Sequence, residues 1–350
     1  MRFDPIRRAF GAAAALLLLL TAAHAGPYTK IYAFGDSLSD VGNIFTLSGG
    51  TTPLPPYYNG QYSNGNVWLQ TLASQAGLAP LAPSLLPGGT NFAYGGAQSG
   101  QTLFHTAGLS DVVGSSGQIA QFQTKYGPAA DPNALYTIWI GGNDLLGLPG
   151  SATQVQVQTL AVQTVGNIDS AIVTLAAMGA KKFLVVTLPD VGKTPQALSG
   201  GPAVAATASA VAASFNSLLL GGNAAVGIPS LAQLSTTYGL NLKVWDSYAF
   251  IDGIVANPAA NGFANVTTAC YNGTTVCASP NQYAFWDAIH PTGAAHLLAG
   301  QAAANVLSVP ESGTWALMLA GLGGVLAIAR RRGAVSRALT MYGAGRTTAA

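Results

Sequence analysis

Short apolar runs that end at glycine or a small polar residue recur along the chain. They are apolar at consecutive positions and do not alternate with polar residues, which is typical of strands buried on both faces of a parallel sheet. We predict strands over residues 31–34, 135–140 and 183–188. The stretches between them are alanine-rich and long enough for helices, which we predict over residues 67–76, 151–178, 204–220 and 293–307.

The alternation of strands and helices predicts the fold class. It indicates an α/β sandwich in which parallel strands are joined by right-handed crossovers. In open sheets of this kind, the ligand site lies beyond the carboxyl ends of the strands. We therefore expect the chemistry of this protein in the polar segments that directly follow the apolar runs.

The N-terminal segment is predicted to be a secretory signal peptide over residues 1–25. It has a basic start, an apolar stretch over residues 9–23 and the sequence Ala23-His24-Ala25 before Gly26, which places cleavage after Ala25. An uncleaved anchor is the alternative, but spanning a bilayer takes about 20 apolar residues and this stretch is shorter. The segment therefore predicts export.

A second hydrophobic segment lies near the C-terminus. Residues 312–329 are uncharged and lie between Glu311 and the arginines at 330–332. This length is just enough to span a bilayer, and the arginines predict that the side after the helix is cytoplasmic, so that the body faces outward. A plain single-pass anchor is one interpretation.

Residues 309–332, which begin Val309-Pro310-Glu311, resemble the PEP-CTERM sorting signal of Gram-negative bacteria that produce exopolysaccharide. The resemblance implies that the helix holds the exported protein in the membrane until a sortase-like processing enzyme removes it. The protein would then reside in the periplasm, at the cell surface or in the extracellular matrix. The segment departs from that signal at Ser312, where proline is usual, and in the short tail over residues 333–350.

The charged residues are distributed differently in the two end segments and in the body of the chain. The chain is 49% hydrophobic and 7% charged, whereas soluble domains carry about 25% charged residues. All eight arginines lie in the end segments, and residues 26–308 hold six lysines against ten aspartates, a net charge of −4. A basic nucleic-acid-binding surface is excluded, because it needs clustered Lys and Arg. No linker-like change in composition divides residues 26–308, which we interpret as one domain.

The first predicted strand leads into Gly35-Asp36-Ser37. A serine at a strand-to-helix turn lies at the edge of the sheet, and its backbone N–H at a helix N-terminus favours developing negative charge. Taken alone, a Gly-Asp-Ser tripeptide is a weak signal. It makes Ser37 a candidate nucleophile that still needs a base.

Asp287 and His290 lie three residues apart just before the last predicted helix. In a turn, this spacing lets the aspartate reach one ring nitrogen of the histidine and fix its tautomer, which leaves the other nitrogen for a serine. Taken alone, the pair also fits a helix cap beside a core histidine. The serine makes the catalytic interpretation the stronger one.

Two glycine-bearing turns lie between the serine and the histidine, one with Gly95 and Gly96 and the other with Asn143. A glycine N–H and an asparagine amide are donors that an oxyanion hole requires. Each turn by itself is ordinary. The four signals occur together in order, each beside a predicted strand end or helix start, and therefore indicate acyl-transfer chemistry.

These four blocks, GDSLSDVGN, NFAYGGA, GGND and FWDAIHPT, resemble those of the GDSL esterases and lipases, the SGNH hydrolases. The resemblance extends over about residues 28–307. Residues 58–65 are similar to the family's loop before the first long helix, with Gln61 where arginine is common. The resemblance implies a three-layer α/β/α sandwich with a flavodoxin-like parallel sheet of about five strands.

The resemblance also implies a carboxylic ester hydrolase that works through an acyl-enzyme and needs no cofactor. It assigns the triad to Ser37, Asp287 and His290. It assigns the oxyanion hole to the N–H groups of Ser37 and Gly96 and the side chain of Asn143. Gly95 is the second choice for the glycine donor.

The remaining histidines and cysteines add no metal site. His105 and His296 have no Cys, Asp or Glu at metal-ligand spacing, so we interpret them as a loop and a helix residue. Cys270 and Cys277 enclose six residues, and in an exported chain such a close pair favours a disulfide that holds the loop before Asp287.

Three functions remain open from the sequence. The first is an exported serine esterase or lipase, and the second is an acyltransferase whose same triad passes the acyl group to an alcohol instead of water. The third is a surface or matrix binding protein that keeps the fold without activity, against which the complete set of candidate residues argues. The sorting-signal resemblance favours a polysaccharide as the acylated substrate, while lipids and simple esters fit the motifs equally well.

Overall fold

The computed structural model describes residues 28–100, 115–148, 152–308 and the single residue Leu322. The predicted signal peptide, the tail and His105 lie outside the described residues, as does the predicted sorting signal apart from Leu322. The chain forms two compact units, Met1–Val306 and Leu307–Ala350, and the sheet and the candidate site belong to the first.

Parallel strands form a sheet in the spatial order β1, β2, β3, β4. These strands are β1 (Ile31–Gly35), β2 (Leu135–Trp139), β3 (Lys182–Val186) and β4 (Asn241–Trp245). The first three confirm the predicted strands, because nearly all their positions are buried. We did not predict β4, since Asn241 is exposed and the next positions are only partly buried, which breaks the apolar run.

A further segment, residues 90–94, runs along the outer edge of β1. The N–H of Ala33 donates to the carbonyl of Thr90 (3.1 Å), and Phe92 N–H donates back to Ala33 (2.7 Å). Tyr94 N–H donates to the carbonyl of Gly35 (3.1 Å). Within the part of the chain that the structure describes, the sheet therefore has four regular strands plus this edge segment, against about five predicted. The strand order reverses at β1, where a ligand site is expected.

Ten α-helices occur among the described residues: α1 (Asn43–Leu47), α2 (Trp68–Gln75), α3 (Ser115–Tyr126), α4 (Gly142–Leu146), α5 (Gln154–Ala177), α6 (Pro195–Ser199), α7 (Pro202–Gly221), α8 (Leu231–Tyr238), α9 (Ser247–Ala256) and α10 (Gly293–Ser308). Four of them, α2, α5, α7 and α10, confirm the predicted helices within three residues at each end. The others are mostly short, and α8 and α9 flank β4 in a region that the sequence left without elements.

Strand side chains alternate between the two faces of the sheet. On one face, Tyr32, Tyr136 and Phe183 belong to a large core that also contains buried residues of α3, α5, α7 and α8. Tyr32 stacks on Tyr136 with ring centroids 5.4 Å apart, and Tyr136 lies 5.6 Å from Phe183. This face therefore buries aromatic side chains from neighbouring strands against a helical layer.

The opposite face is built on three tryptophans. Trp139 of β2 and Trp245 of β4 lie 5.4 and 5.6 Å from the ring of Trp68 in α2. Helix α10 packs closely on α2 at Gly300, where a Cβ atom would lie 2.5 Å from the carbonyl oxygen of Trp68. Helices thus cover both faces, which confirms the predicted three-layer α/β/α sandwich.

Two described helices, α5 and α7, are long and apolar enough to cross a membrane by length and composition. In this structure, α5 contributes Val165, Ile168 and Ile172 to the core beside the sheet. Helix α7 contributes Phe215 and Leu219 to the same core. Their apolar character is therefore explained by packing within the sandwich.

Helix α5 also buries a carboxyl group at Asp169. Both carboxylate oxygens are buried and have no hydrogen-bond partner among the described residues. Burial raises the pKa of Asp169 to about 7. A carboxyl whose pKa is raised on folding holds its proton more tightly in the folded state, so the free energy of unfolding should fall as pH rises from about 4 to about 7.

We expect Asp169→Asn to make this fall with pH shallower, because the neutral amide does not ionise. Part of the slope should remain, since burial also raises the pKa of Asp36 to about 7 and that of Asp40 to about 6. Urea unfolding at several pH values measures how steeply the free energy of unfolding falls with pH. Asp131→Asn is the control, because the pKa of Asp131 is lowered and it titrates below this range. Equal slopes for Asp169→Asn and the native protein would contradict the expectation.

Candidate active site

The first strand ends in a tight turn that presents Ser37 at the carboxyl edge of the sheet. The N–H groups of Ser39 and Asp40 both donate to the carbonyl of Asp36 at 3.0 Å. Leu38 N–H donates to the Asp36 carboxylate, also at 3.0 Å. The expected helix N-terminus at Ser37 is wrong in one respect, because this is a single hydrogen-bonded turn and α1 begins only at Asn43.

Ser37, His290 and Asp287 form a continuous chain of hydrogen-bonding atoms. Ser37 Oγ lies 2.8 Å from His290 Nε2, and His290 Nδ1 lies 2.7 Å from Asp287 Oδ2. Serine and histidine are 253 residues apart in sequence, so only the fold brings them together. Both side chains are largely buried yet line the same pocket.

The Asp287 carboxylate is held at both oxygens. Oδ1 accepts the backbone N–H groups of Ile289 (2.9 Å) and His290 (2.8 Å), and Oδ2 accepts the Tyr57 hydroxyl (2.8 Å) besides the His290 ring. Burial raises the pKa of Asp287, but the charge of His290 and the hydrogen bonds from the His290 ring and from the N–H groups of Ile289 and His290 lower it to about 2 overall. Its contribution to stability is therefore present above about pH 4 and is lost as pH falls through about 2.

The sequence did not single out Tyr57. It stands just before the loop 58–65, which packs on the segment around His290. Ser63 Oγ donates to the carbonyl of Pro291 (2.9 Å), and Gly293 N–H donates to Asn64 Oδ1 (2.8 Å). The clustering of tyrosines at 57, 58 and 62 was the available signal, but it does not reveal which hydroxyl faces the carboxylate.

The two glycine candidates differ in how their N–H groups are used. Gly95 N–H donates to Asp40 Oδ2 at 2.9 Å. The Gly96 N–H makes no hydrogen bond to any described residue, and its φ of 79° is one that glycine adopts readily. Asn143 Nδ2 donates to the carbonyl of Ala97 (2.9 Å), which ties the two turns together.

Asp40 organises this region without facing the triad. Its carboxylate accepts the N–H groups of Gly42 (2.8 Å), Asn43 (2.6 Å), Ile44 (3.2 Å) and Gly95 (2.9 Å). Burial raises the pKa of Asp40 to about 6 despite these four donors, so it is ionised at neutral pH. Asp40 thus joins the turn after β1 to the glycine turn.

A pocket opens beside Ser37, His290 and Asn143. Its volume is about 80 Å³, several times the ~10–15 Å³ that one water molecule requires. Apolar side chains form most of its wall, among them Trp139, Leu188, Phe250, Ile251, Phe285 and Ala299. His296 of α10 also lines it.

His296 is a buried helix residue, as the sequence indicated. Its Nδ1 accepts the backbone N–H of Trp68 at 3.3 Å. Burial and the nearby His290 lower the pKa of His296 to about 3, so its imidazole is neutral. Within the described ranges, no group of three His, Cys, Asp or Glu side chains is arranged to hold a metal ion.

The predicted disulfide between Cys270 and Cys277 is present. Around it, Cys270 N–H donates to the carbonyl of Phe285 (3.1 Å) and Tyr271 N–H to that of Trp286 (2.6 Å). The bond closes a short loop, for which the loop-entropy relation gives about 2 kcal/mol of stabilisation. The disulfide closes the hairpin over residues 270–277, and the two backbone hydrogen bonds hold that hairpin against the segment that leads into Asp287.

A serine, a histidine and an aspartate in hydrogen-bond sequence are the arrangement by which serine hydrolases are recognised. Here they lie at the carboxyl edge of a parallel α/β sheet, beside a pocket. The chain belongs to the GDSL-like lipase/acylhydrolase family, whose family model matches residues 31–303.

Several curated proteins are similar to this chain. It is 28% identical over 284 residues to the thermolabile hemolysin of Vibrio parahaemolyticus, covering 76% of this chain and 61% of that protein. It is 30% identical over 261 residues to the phosphatidylcholine-sterol acyltransferase of Aeromonas hydrophila, covering 74% and 70%. It is 31% identical over 354 residues to esterase EstA of Pseudomonas aeruginosa, covering 88% and 51%. The chain thus spans between half and about two thirds of these relatives.

Among solved structures, the acetylxylan esterase Axe2 of Geobacillus stearothermophilus is similar with a TM-score of 0.41 and 14% sequence identity. The match covers 80% of this chain and 94% of that one.

Proposed function

We propose that this protein is an exported serine esterase that hydrolyses carboxylic esters through Ser37, His290 and Asp287. The observation that carries the proposal is the chain of short contacts from Ser37 Oγ to His290 (2.8 Å) and from His290 to Asp287 (2.7 Å). Membership of the GDSL-like lipase/acylhydrolase family supports the same chemistry. The signal peptide predicted over residues 1–25 supports export.

In the proposed reaction, Ser37 Oγ attacks the ester carbonyl carbon while His290 Nε2 takes its proton. The tetrahedral intermediate collapses, His290 gives the proton to the leaving alcohol, and the acyl group stays on Oγ. Water then attacks the acyl-enzyme while His290 Nε2 takes its proton. The second tetrahedral intermediate collapses, His290 returns this proton to Ser37 Oγ, and the carboxylic acid is released. Asp287 stabilises the imidazolium in both halves.

We assign the oxyanion hole to the N–H groups of Ser37 and Gly96 and to the side chain of Asn143. The free Gly96 N–H supports this choice over Gly95, whose N–H is already bound by Asp40. Asn143 lines the pocket beside Ser37. Its amide keeps one N–H for substrate while the other binds Ala97.

The pocket supports an ester with an apolar acyl chain. Most of its exposed wall is apolar, which suits an apolar acyl chain better than a sugar ring whose several hydroxyls would each need a partner. Removal of acyl groups from polysaccharide, suggested by the sorting-signal resemblance, is the second candidate. It requires the glycan to lie outside the pocket, with only the acyl group inside.

An acyltransferase is the alternative within the same chemistry, and the similarity to the phosphatidylcholine-sterol acyltransferase favours keeping it. Adding an alcohol acceptor to the assay separates the two functions, because an acyltransferase makes a new ester where an esterase makes the acid. Failure to label with a fluorophosphonate would instead favour a binding protein without activity. The sortase-like processing and the membrane anchoring by residues 309–332 remain predictions from the sequence.

Profiling the protein against nitrophenyl esters of rising chain length, alongside acetylated glycans, tests the proposal. We expect kcat/KM to rise by about fourfold per methylene, since each buried CH₂ contributes about 0.8 kcal/mol, until the pocket is filled. Ala299→Leu narrows the wall and should move the optimum to shorter chains, whereas Ala120→Leu, at an exposed position of α3, should not. If the protein hydrolyses none of these esters, the esterase assignment is rejected.

A further inference from the structure

One carboxylate oxygen in the site is shared between two donors. Asp287 Oδ2 accepts the His290 ring at 2.7 Å and the Tyr57 hydroxyl at 2.8 Å. Tyr57 lies outside all four sequence blocks that define the candidate site. It is nevertheless as close to the triad aspartate as the histidine is.

The Tyr57 ring is fixed by aromatic neighbours. Its centroid lies 5.8 Å from that of Tyr271 and 6.2 Å from those of Tyr62 and Trp286, all edge-to-face. Tyr271 in turn stacks on Trp286 at 5.5 Å and follows the disulfide-bonded Cys270. The hydroxyl is therefore directed at Asp287 by a rigid aromatic cluster.

The Tyr57 hydroxyl keeps its proton in this setting. Burial and the adjacent Asp287 carboxylate raise the pKa of Tyr57 far above its ordinary value. The hydroxyl is therefore a donor at any pH at which the enzyme works. A donor at Oδ2 has two consequences, because it fixes the plane of the carboxylate toward His290 and withdraws negative charge from the bond to the imidazole.

We propose that Tyr57 is a positioning residue that orients the Asp287 carboxylate and sets the pH range in which His290 acts as base. The proposal rests on the proposed function, because it concerns the same triad. Tyr57 does not line the pocket and its hydroxyl donates to Asp287, so we argue its role through Asp287. Loss of its hydroxyl should leave more negative charge on Oδ2, which holds the imidazolium more strongly.

A change from Tyr57 to Phe keeps the ring that packs on Tyr62, so we expect the other ionisable groups near His290 to keep their positions. The Tyr62 ring lies 5.3 Å from the imidazole, and Asp36 and His296 both interact with His290 electrostatically. Within the disulfide-bonded hairpin, Tyr271 is the one ionisable side chain, and it lies beside Tyr57. A shift in pH dependence on removal of the Tyr57 hydroxyl alone is therefore assignable to its bond with Asp287.

Tyr57→Phe removes this hydroxyl and keeps the ring. We expect kcat to fall about tenfold, as for loss of a hydrogen bond to a charged group, with KM within about twofold. The acid limb of kcat/KM should move to higher pH by about half a unit or more. Tyr58→Phe, at an exposed neighbouring position, is the matched control and should change neither.

A second measurement does not depend on turnover. In Ser37→Ala and in Ser37→Ala with Tyr57→Phe, the His290 ring titration is followed by NMR, and its midpoint should lie higher in the double variant. Equal midpoints, or an unmoved acid limb together with a lowered kcat, overturn the proposal, because purely structural damage lowers kcat alone. If Ser37→Ala retains full activity, the proposed function fails, while the comparison of midpoints still decides the role of Tyr57.

Discussion

Ser37→Ala is expected to lower ester turnover by about 10⁵–10⁶ and to abolish labelling by a fluorophosphonate. Among the described residues, the Ser37 side chain hydrogen-bonds only to His290 Nε2 (2.8 Å), so alanine should remove the proposed nucleophile and leave the turn intact. The turn is held by backbone groups of Asp36, Ser39 and Asp40, none of which changes. The residual rate would come from the oxyanion hole and substrate binding.

Matched measurements separate loss of chemistry from loss of fold. Ser74→Ala, at an exposed position of α2, should retain native turnover and labelling. Thermal unfolding of Ser37→Ala should occur within a few degrees of the native protein, because one hydrogen bond at the pocket wall contributes only about 1 kcal/mol. If fluorophosphonate still labels Ser37→Ala, or if its turnover is within tenfold of native, another residue must be the nucleophile.

The elements that the sequence revealed are those whose pattern is local. β1, β2 and β3 are buried at nearly every position, so each is a continuous apolar run. β4 does not form a continuous apolar run, because it lies at the edge of the sheet and is partly exposed. The edge segment 90–94 pairs with β1 through a few bonds only, too few to leave a pattern in the sequence.

In the candidate site, too, the sequence revealed the residues that stand in a local pattern and missed those that do not. Ser37, Asp287 and His290 stand in short blocks beside element ends, where their spacing has a chemical meaning. Tyr57 has no such block, because its role depends on a contact across 230 positions of the chain. Our preference for Gly96 over Gly95 as the proposed oxyanion donor likewise depends on the structure, because the Gly95 N–H already donates to Asp40.

The second large effect is expected from Asp287→Asn. In the native protein, Oδ1 accepts two backbone N–H groups, from Ile289 and His290. Because these donors require an acceptor, the amide oxygen of asparagine should take the place of Oδ1. Its NH₂ group must then take the place of Oδ2 and point at His290 Nδ1. In the native protein, Oδ2 lies 2.7 Å from this nitrogen.

An NH₂ group facing Nδ1 forces the imidazole to accept there, so the proton moves to Nε2. A protonated Nε2 cannot take the proton of Ser37, and kcat should fall by about 10⁴ with KM little changed. The fold should persist, because the amide oxygen still satisfies both backbone donors. Steady-state kinetics check this, with Asp131→Asn, an aspartate that bonds Thr29, as a control expected to keep native kcat. A kcat for Asp287→Asn within tenfold of native would mean that Asp287 does not fix the tautomer of His290.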